Sequence, residues 1–573
     1  MGVYDAASGQ YLIQPQARVT VVNQPTAQPA NETQTLWLLG SSDLAQPQVE
    51  TPVSSPGDVG RLLGAGTLAQ AAMLCFDASP LLTATPTIVC VDVDEKTQAT
   101  GTIGSSTGVK VTSVTWGTDA NFTKWMVQGA SGGTGYKITI GSDYVSPVAG
   151  STQPTSVDNV YQAALDMHYT GTGTTPKVTV TDTTVKVTTG TTTTVTVTSV
   201  TIGTTETLSQ LANALTTADL VTTVDPTANP AQLALAYLDN VATEAVSITS
   251  TAPTVLYANV YEAVSVINSV FAQYVTAVRE TDAVALPTSN SFTYLTGGTT
   301  TTPTNTDWQN AFNMLESVNG LGLVVPLTST VSVWDMVETH CAYMTAHDQA
   351  RNGIVGDSAG QTLAVEITNA RSLGSQYLML RWPGFVGTNI YGKTQTFDPF
   401  YEAARTAAIA VGTPVTQSLT RVPVTARNLE VIPSRTDVDS AIENGVCITK
   451  LASDGLFRIA DDVTTWTATD QFNLRKLQVQ RELGLVMNDL YQALEGLIGY
   501  GANATPAAAS EAVSIMKRRL RYWTDSGLLV GPTPYRNPSA SVTSGVLAAS
   551  VEVFVAQALD FALLAISPFP YQS

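Results

Sequence analysis

PTIVCVDV, residues Pro86–Val93, is a short apolar run rich in β-branched side chains and without a polar face. A half-solvated strand alternates apolar with polar residues; a continuous run of this length reads as a strand buried on both sides. TLWLLG, ending at Gly40, has the same texture, and between the two GTLAQAAMLCF reads as a helix. Strand, helix, strand opens an α/β unit.

At about residue 97 the pattern breaks. Up to about residue 253 the chain is short-period and rich in Thr and Gly, and 19 of the 36 residues from Thr170 to Thr205 are threonine. Threonine suits strands because its β-branch packs on a pleat while its hydroxyl faces water. This predicts an inserted, mostly β domain with solvated faces and one short helix at ETLSQLANAL. A low-complexity linker is the competing reading, and valines at period two argue against it.

The α/β texture resumes at LYANVYEAVSVINSVFAQYV, where Leu256, Val260, Val264, Ile267 and Phe271 recur at helical spacing. A helix from Asp307, the strand LGLVVPL, a helix through VWDMVETHCAYMTAHDQAR, a helix after Gly360, the strand QYLMLRW and the helix PFYEAARTAAIAV follow. NGVCITKLASDGLFRIADDVTTW reads as a hairpin turning at Asp454-Gly455, and two long helices cover about 473–499 and 507–523. The predicted fold is therefore an α/β (α+β) core, with a mixed sheet flanked by helices, interrupted by the mostly β insertion. Extended arms flank it. YLIQPQARVTVV, carrying Tyr11, Ile13, Val19 and Val21, reads as a strand without a domain. In VEVFVAQALDFALLAI, period two places Val551, Val553, Val555, Leu559, Phe561 and Leu563 on one face. That ribbon is too short and too often interrupted by charge to span a bilayer, so it needs a sheet to join.

The 573 residues carry 27 basic against 46 acidic side chains, a net charge of -19, which argues against nucleic acid as a partner. Cys75, Cys90, Cys341 and Cys447 lack CxxC spacing and fit buried reduced thiols and synthesis in a reducing cytoplasm. The start has no basic segment followed by an apolar one, so neither secretion nor membrane insertion is expected. Chemistry is hard to find. GDSAG, Gly356–Gly360, fits GxSxG, but His168, His340 and His347 all precede Ser358, the wrong order for such hydrolases, and no HGGG-like segment is present. His340 and His347 lack HExxH spacing and read as a helix surface; DVDEK at Asp92–Lys96 lacks calcium-loop spacing and reads as a strand end; no phosphate-binding loop occurs. No enzyme, cofactor or metal is predicted. One basic cluster stands out, MKRRLRYW, with Lys517, Arg518, Arg519 and Arg521 forming a patch on a helix, a solvated helix end or a docking site for an acidic partner.

Several segments together resemble the contractile tail sheath proteins of myophages and of related contractile injection machines. They are the arm GVYDAASGQYLIQPQARV, then YLTGGTTTTPTNTDWQNAFNMLES, HCAYMTAHDQARNGIVG, SAIENGVCITKLASDGLFRIADDVTTW and RKLQVQRELGLVMNDLYQALEGLIG, followed by the short helix before DSGLLVG and the terminal strand. The resemblance implies a structural subunit in the virion tail of a bacteriophage, self-assembling as a helical stack of hexameric rings around a tail tube. Its partners would be copies of itself, the tube protein, and baseplate and terminator proteins, and contraction would drive the tube through a host envelope for genome ejection. It also implies strand exchange, with the terminal ribbon donated to a neighbour through the flexible segment PYRNPSASVTSG, and makes Lys517, Arg518, Arg519 and Arg521 candidates for tube contact. The resulting division is an N-terminal arm (1–30), a first part of the core (31–96), an outward-facing Thr-rich domain (97–253), a second part of the core (254–540) and a C-terminal arm (541–573). The rival class, a Thr-rich β-structured surface adhesin or other virion structural protein, predicts tandem β repeats throughout, which the sequence lacks.

Overall fold

The computed structural model describes residues 3–5, 10–12, 34–82, 84–103, 108–148, 150–151, 153–172, 176–191, 194–217, 219–281, 286, 288–289, 291–469, 471–498, 505–543 and 546–556. These fall into two compact units, one within residues 34–481 and one grouping residues before 34 with 482–556.

The first unit is built on an eight-stranded sheet in the order Phe457–Ile459, Val446–Leu451, Leu378–Trp382, Arg351–Gly356, Gly322–Pro326, Thr35–Gly40, Thr87–Asp92, Glu50–Val53. Six central strands run parallel and the two edge strands antiparallel, which makes the sheet mixed as expected. The apolar runs quoted above are its middle: Leu36, Leu38, Val325 and Ile354 point into one core with the helices Gly66–Phe76 and Pro399–Val411. Trp37, Leu39 and Val324 point into another with Asn305–Glu316 and Val331–Ala346. Helices thus cover both faces, the arrangement that parallel strands require. The strand Arg351–Gly356 replaces the end of a segment that helical patterning assigned to the preceding helix, which stops at Ala346.

The helix Pro399–Val411 is buried along nearly its whole length and carries charge inward. Arg381, from the strand beneath it, donates to Glu402 at 2.9 Å and to the Cys447 carbonyl at 3.0 Å, while Arg405 lies 3.4 Å from the other oxygen of Glu402 and stacks 4.0 Å over the Phe385 ring. All four cysteines are free and buried.

The Thr-rich region is nested twice. Strands Gln98–Ile103, Val109–Trp116 and Val275–Arg279 form one sheet, and Thr123–Gly129 and Tyr136–Ser142 pair in another. The helix Asn259–Val270 packs on them: Val260, Ala263, Ile267 and Phe271 share a core with Ala99, Val109, Val111, Val127 and Ile138. Sequence reading placed this helix in the resumed α/β core; its apolar stripe shows that it packs but not against what. Within this layer residues 163–258 make a second β-rich body with its own core, including Leu165, Val178, Val187 and Leu211. The helix predicted at ETLSQLANAL spans Leu208–Leu215 and starts with a Thr207–Gln210 capping box. The strand pair that closes the outer layer joins Lys96 to Thr300 and Glu95 to Thr301, so the insertion ends near residue 301 instead of 253.

The cut that respects packing therefore removes 97–299. Because Lys96 and Thr300 are antiparallel partners, a short turn bridges them at the normal strand spacing of about 5 Å. This deletion should give a monodisperse core whose helix signal per residue by circular dichroism is higher than that of the full chain, because the removed region is mostly strand. Removing 97–253 alone leaves the apolar stripe of Asn259–Val270 bare and should aggregate in size-exclusion chromatography.

Candidate functional site

The GDSAG loop follows the strand Arg351–Gly356, and its parts serve packing. A Cβ on Gly356 would sit 2.4 Å from the Pro399 carbonyl carbon, so the glycine lets the buried helix approach the strand. Gly360 has φ +89°, a backbone that favours glycine. The amides that would line an oxyanion hole are occupied by the chain's own carboxylates: Ser358 donates to Asp357 at 2.7 Å, Ala359 to Asp398 at 2.7 Å, and Gly360 to Glu430. Ser358 Oγ donates to Asp357 at 3.3 Å and accepts from Gln361 at 3.4 Å, so the hydroxyl is bonded within its own loop. This is a tied loop, unsuited to acyl transfer.

The histidines divide. His347 is exposed and stacks on Tyr343 at 4.1 Å between centroids, as a helix surface residue does. His340 corrects that reading: it is buried, its Nε2 accepts from Arg351 at 3.0 Å, and burial with the neighbouring guanidinium lowers its pKa to about 3. It is a neutral core acceptor. Among the described residues no cluster of three or more His, Cys, Asp or Glu could hold a metal, and no helix is long and apolar enough to cross a membrane.

The basic cluster lies on the helix Pro506–Asp525. Lys517, Arg518 and Arg521 are exposed and form a patch at spacings of three and four. Arg519 does not belong to it. It is buried, and its guanidinium lies 3.2 Å from Asp489, whose other oxygen accepts from the Trp523 indole at 2.8 Å. Position 519 faces the Met516 and Leu520 side of the helix, so composition alone overcounted the patch by one.

The terminal ribbon also differs from expectation. Its first part is not free of its own chain: Val546–Val553 pairs antiparallel with Tyr535–Thr543. The segment predicted as a flexible lead-in is thus a strand, with Pro538 at a register shift between Arg536 and Ser539 where a missing N–H costs no ladder bond. Beyond the pair, Val555 bridges to Leu529. The predicted alternation holds here: Val551, Val553 and Val555 are half-buried, Glu552 and Phe554 exposed. Leu559, Phe561 and Leu563 lie outside the described residues, as do Ile13, Val19 and Val21; Tyr11 sits in Gln10–Leu12, paired antiparallel with Val3–Asp5. The hairpin at 535–553 is a sheet of two strands, so the outer backbone edge of each strand lacks a ladder partner among the described residues. Neither proline nor serine content signalled it; the period-two run SASV opposite LAAS was the available sign.

No protein-family model matches the chain. Over 227 residues it is 26% identical to the tail sheath protein of Bacillus phage SP01, a match covering 39% of this chain and 39% of that relative, so the chain spans well under half the length of the curated relative it matches. In fold it is similar to the sheath tail protein from Listeria innocua, with TM-score 0.56 at 14% identity over 91% of this chain and 92% of that one. It is likewise similar to the sheath tail protein from Desulfitobacterium hafniense, with TM-score 0.54 at 11% identity over 94% and 100%. The resemblance to tail sheath proteins read from the residues is borne out, and the fold is sheath-like.

Beside the tied loop, Glu366 gives a pH-dependent expectation. Its side chain is fully buried, and burial, then the charge of Asp357, raises its pKa from 4.5 to about 8. The folded state therefore keeps a proton that the unfolded chain loses, and stability falls as pH rises from about 4.5 to about 8. At about 1.4 kcal/mol per pKa unit, the cost reaches a few kcal/mol at the upper end. Glu366→Gln should gain thermal stability over wild type as pH goes from 5 to 8; a difference independent of pH in melting curves would contradict it.

Proposed function

We propose that this chain is a mechanical subunit of a contractile tail sheath, polymerising as stacked hexameric rings around a tail tube in the virion and contracting to drive the tube through a host envelope. The observation that carries the reading is the two-stranded ribbon at 535–553. Such a pair is marginal in water alone, and its open edges are templates for further strands. The chain's own segments 13–33 and 557–573, with Val19, Val21, Leu559, Phe561 and Leu563 at strand spacing, are the proposed additions, each reaching the ribbon of a neighbouring subunit. Main-chain hydrogen bonds would then join subunits while rigid bodies rotate. The likeness in sequence and fold to tail sheath proteins supports the same reading.

Within it, the Thr-rich insertion faces outward, because its polar strands cost little in water and the eight-stranded sheet is complete without it. The exposed cations Lys517, Arg518 and Arg521 meet an acidic face of the tube, and baseplate and terminator proteins bound the stack. No catalysis is involved.

A chain ending at Ala556 keeps the whole ribbon and should remain folded by circular dichroism yet form no sheath in negative-stain micrographs. Sheath from the truncated chain would rule out donation of the tail.

Charge reversal separates two uses of one helix. Arg518→Glu with Arg521→Glu should fold and polymerise but lose co-assembly with tube at low salt, since exposed pairs of about 0 to 1 kcal/mol each are multiplied around a ring and screened by ions. Arg519→Glu should fail earlier, losing about 3 to 5 kcal/mol of stability by setting two carboxylates together in a buried site.

A further inference from the structure

Where the insertion leaves the core, one buried cation faces four carboxylates. Lys96 Nζ is bonded to Asp92 and the Ser42 carbonyl and lies 3.7 Å from Asp94, with all three side chains buried. Asp94, Asp43 and Asp119 line a cavity of about 340 Å³ together with Ser41, Thr118 and Thr300. Its walls come from both bodies: Ser41, Asp43 and Asp94 from the core, Thr118, Asp119 and Thr300 from the insertion. Few direct bonds hold the joint. Tyr144 donates to Asp43 at 2.8 Å and the Trp116 amide to the Leu44 carbonyl at 3.1 Å across it, and at its edge, within the insertion, the Thr97 amide donates to the Thr299 carbonyl at 3.1 Å.

The other charged groups nearby do not balance the excess. Lys124 is committed to Asp143, Glu95 is exposed and acidic, and Tyr391, the further titratable group beside Tyr144, brings no cation. We propose that this joint is a pH-sensitive clamp, holding the insertion firmly against the core in mild acid and slackening as Asp94 and Asp119 ionise.

The direction follows from the surroundings. Burial, then Asp92, raises the Asp94 carboxyl from 3.8 to about 6, and burial, then Asp43, raises that of Asp119. A carboxyl raised in the folded joint costs stability as pH climbs from its ordinary value through its raised one, so the clamp is tightest near pH 3.8, loosens up to about 6 and is fully slackened above. Ionised, these groups repel one another across the cavity, and Lys96 beside it is already shared between Asp92 and Asp94.

Hydrogen exchange on the full chain tests this, using the amides of Thr97, Trp116 and Gly117 at the joint and those of Leu378–Trp382 as an internal reference, each corrected for its intrinsic rate. Protection at the joint should drop at least threefold relative to the reference between pH 5 and 7.5, and Asp94→Asn with Asp119→Asn should abolish the drop. If the double variant does not fold, the half-exposed Asp119→Asn alone should shrink it. A joint that exchanges in parallel with the reference, or that keeps its pH dependence in the variants, overturns the proposal.

Discussion

A guanidinium and a carboxylate facing each other in the driest part of the protein set the terms for the core. Arg381 on a central strand and Glu402 on the helix above it are both essentially without solvent contact. Separating two such charges in an apolar interior is far costlier than keeping them paired. The pair therefore fixes how the helix Pro399–Val411 lies across the sheet, and the two terminal nitrogens of Arg381 also donate to Cys447 and Thr449 of the adjacent strand. Three elements are registered at one point. The close approach at Gly356 and the tied GDSAG loop follow from that placement, since Asp398 at the start of the same helix receives the Ala359 amide.

The same economy governs charge elsewhere. Arg351, Arg381, Arg405, Arg481, Arg519, Lys96 and Lys476 are all buried, so a sizeable part of the chain's small stock of cations is withdrawn from the surface. Among the described residues nine carboxylates, those of Asp92, Asp94, Asp239, Asp357, Glu366, Glu402, Asp462, Glu482 and Asp489, are buried as well, so what water and neighbours meet stays strongly acidic. Against that background a patch of three exposed cations is distinctive, although each alone would be ordinary.

How much of this was legible depends on which physical signal each element obeys. TLWLLG, PTIVCVDV and QYLMLRW are strands because they are buried on both faces, and uninterrupted apolar residues state that directly. RNGIVG is as central but begins with Arg351, held by backbone carbonyls and stacked 4.2 Å over Trp37, and has glycines where neighbours crowd. Its character comes from partners that are distant in sequence. Arg519 and the helix Asn259–Val270 were misplaced for a related reason. Periodicity identifies a face but not its partner, and only tertiary packing tells an ion pair from a solvated patch, or an insertion's core from the main one. The strand Tyr535–Thr543 was hidden by residues equally common in turns, and a ladder with the following segment decided its state.

The double nesting imposes an order of events on a newly made chain. Thr35–Gly40 and Gly322–Pro326 are neighbours in the sheet but lie roughly 280 residues apart in sequence, and closing so long a loop is slow when the loop is unstructured. The innermost body, residues 163–258, has its own core and is complete on the ribosome before the helix Asn259–Val270 and the strand Val275–Arg279 that close the layer around it. Once it is compact, Gln162 and Asn259 are brought together and the layer outside can close; once that layer closes, Lys96 meets Thr300 and the two halves of the main sheet face each other over a gap of one strand spacing. Construction from the inside outwards thus turns the longest-range pairing in the molecule into a local one.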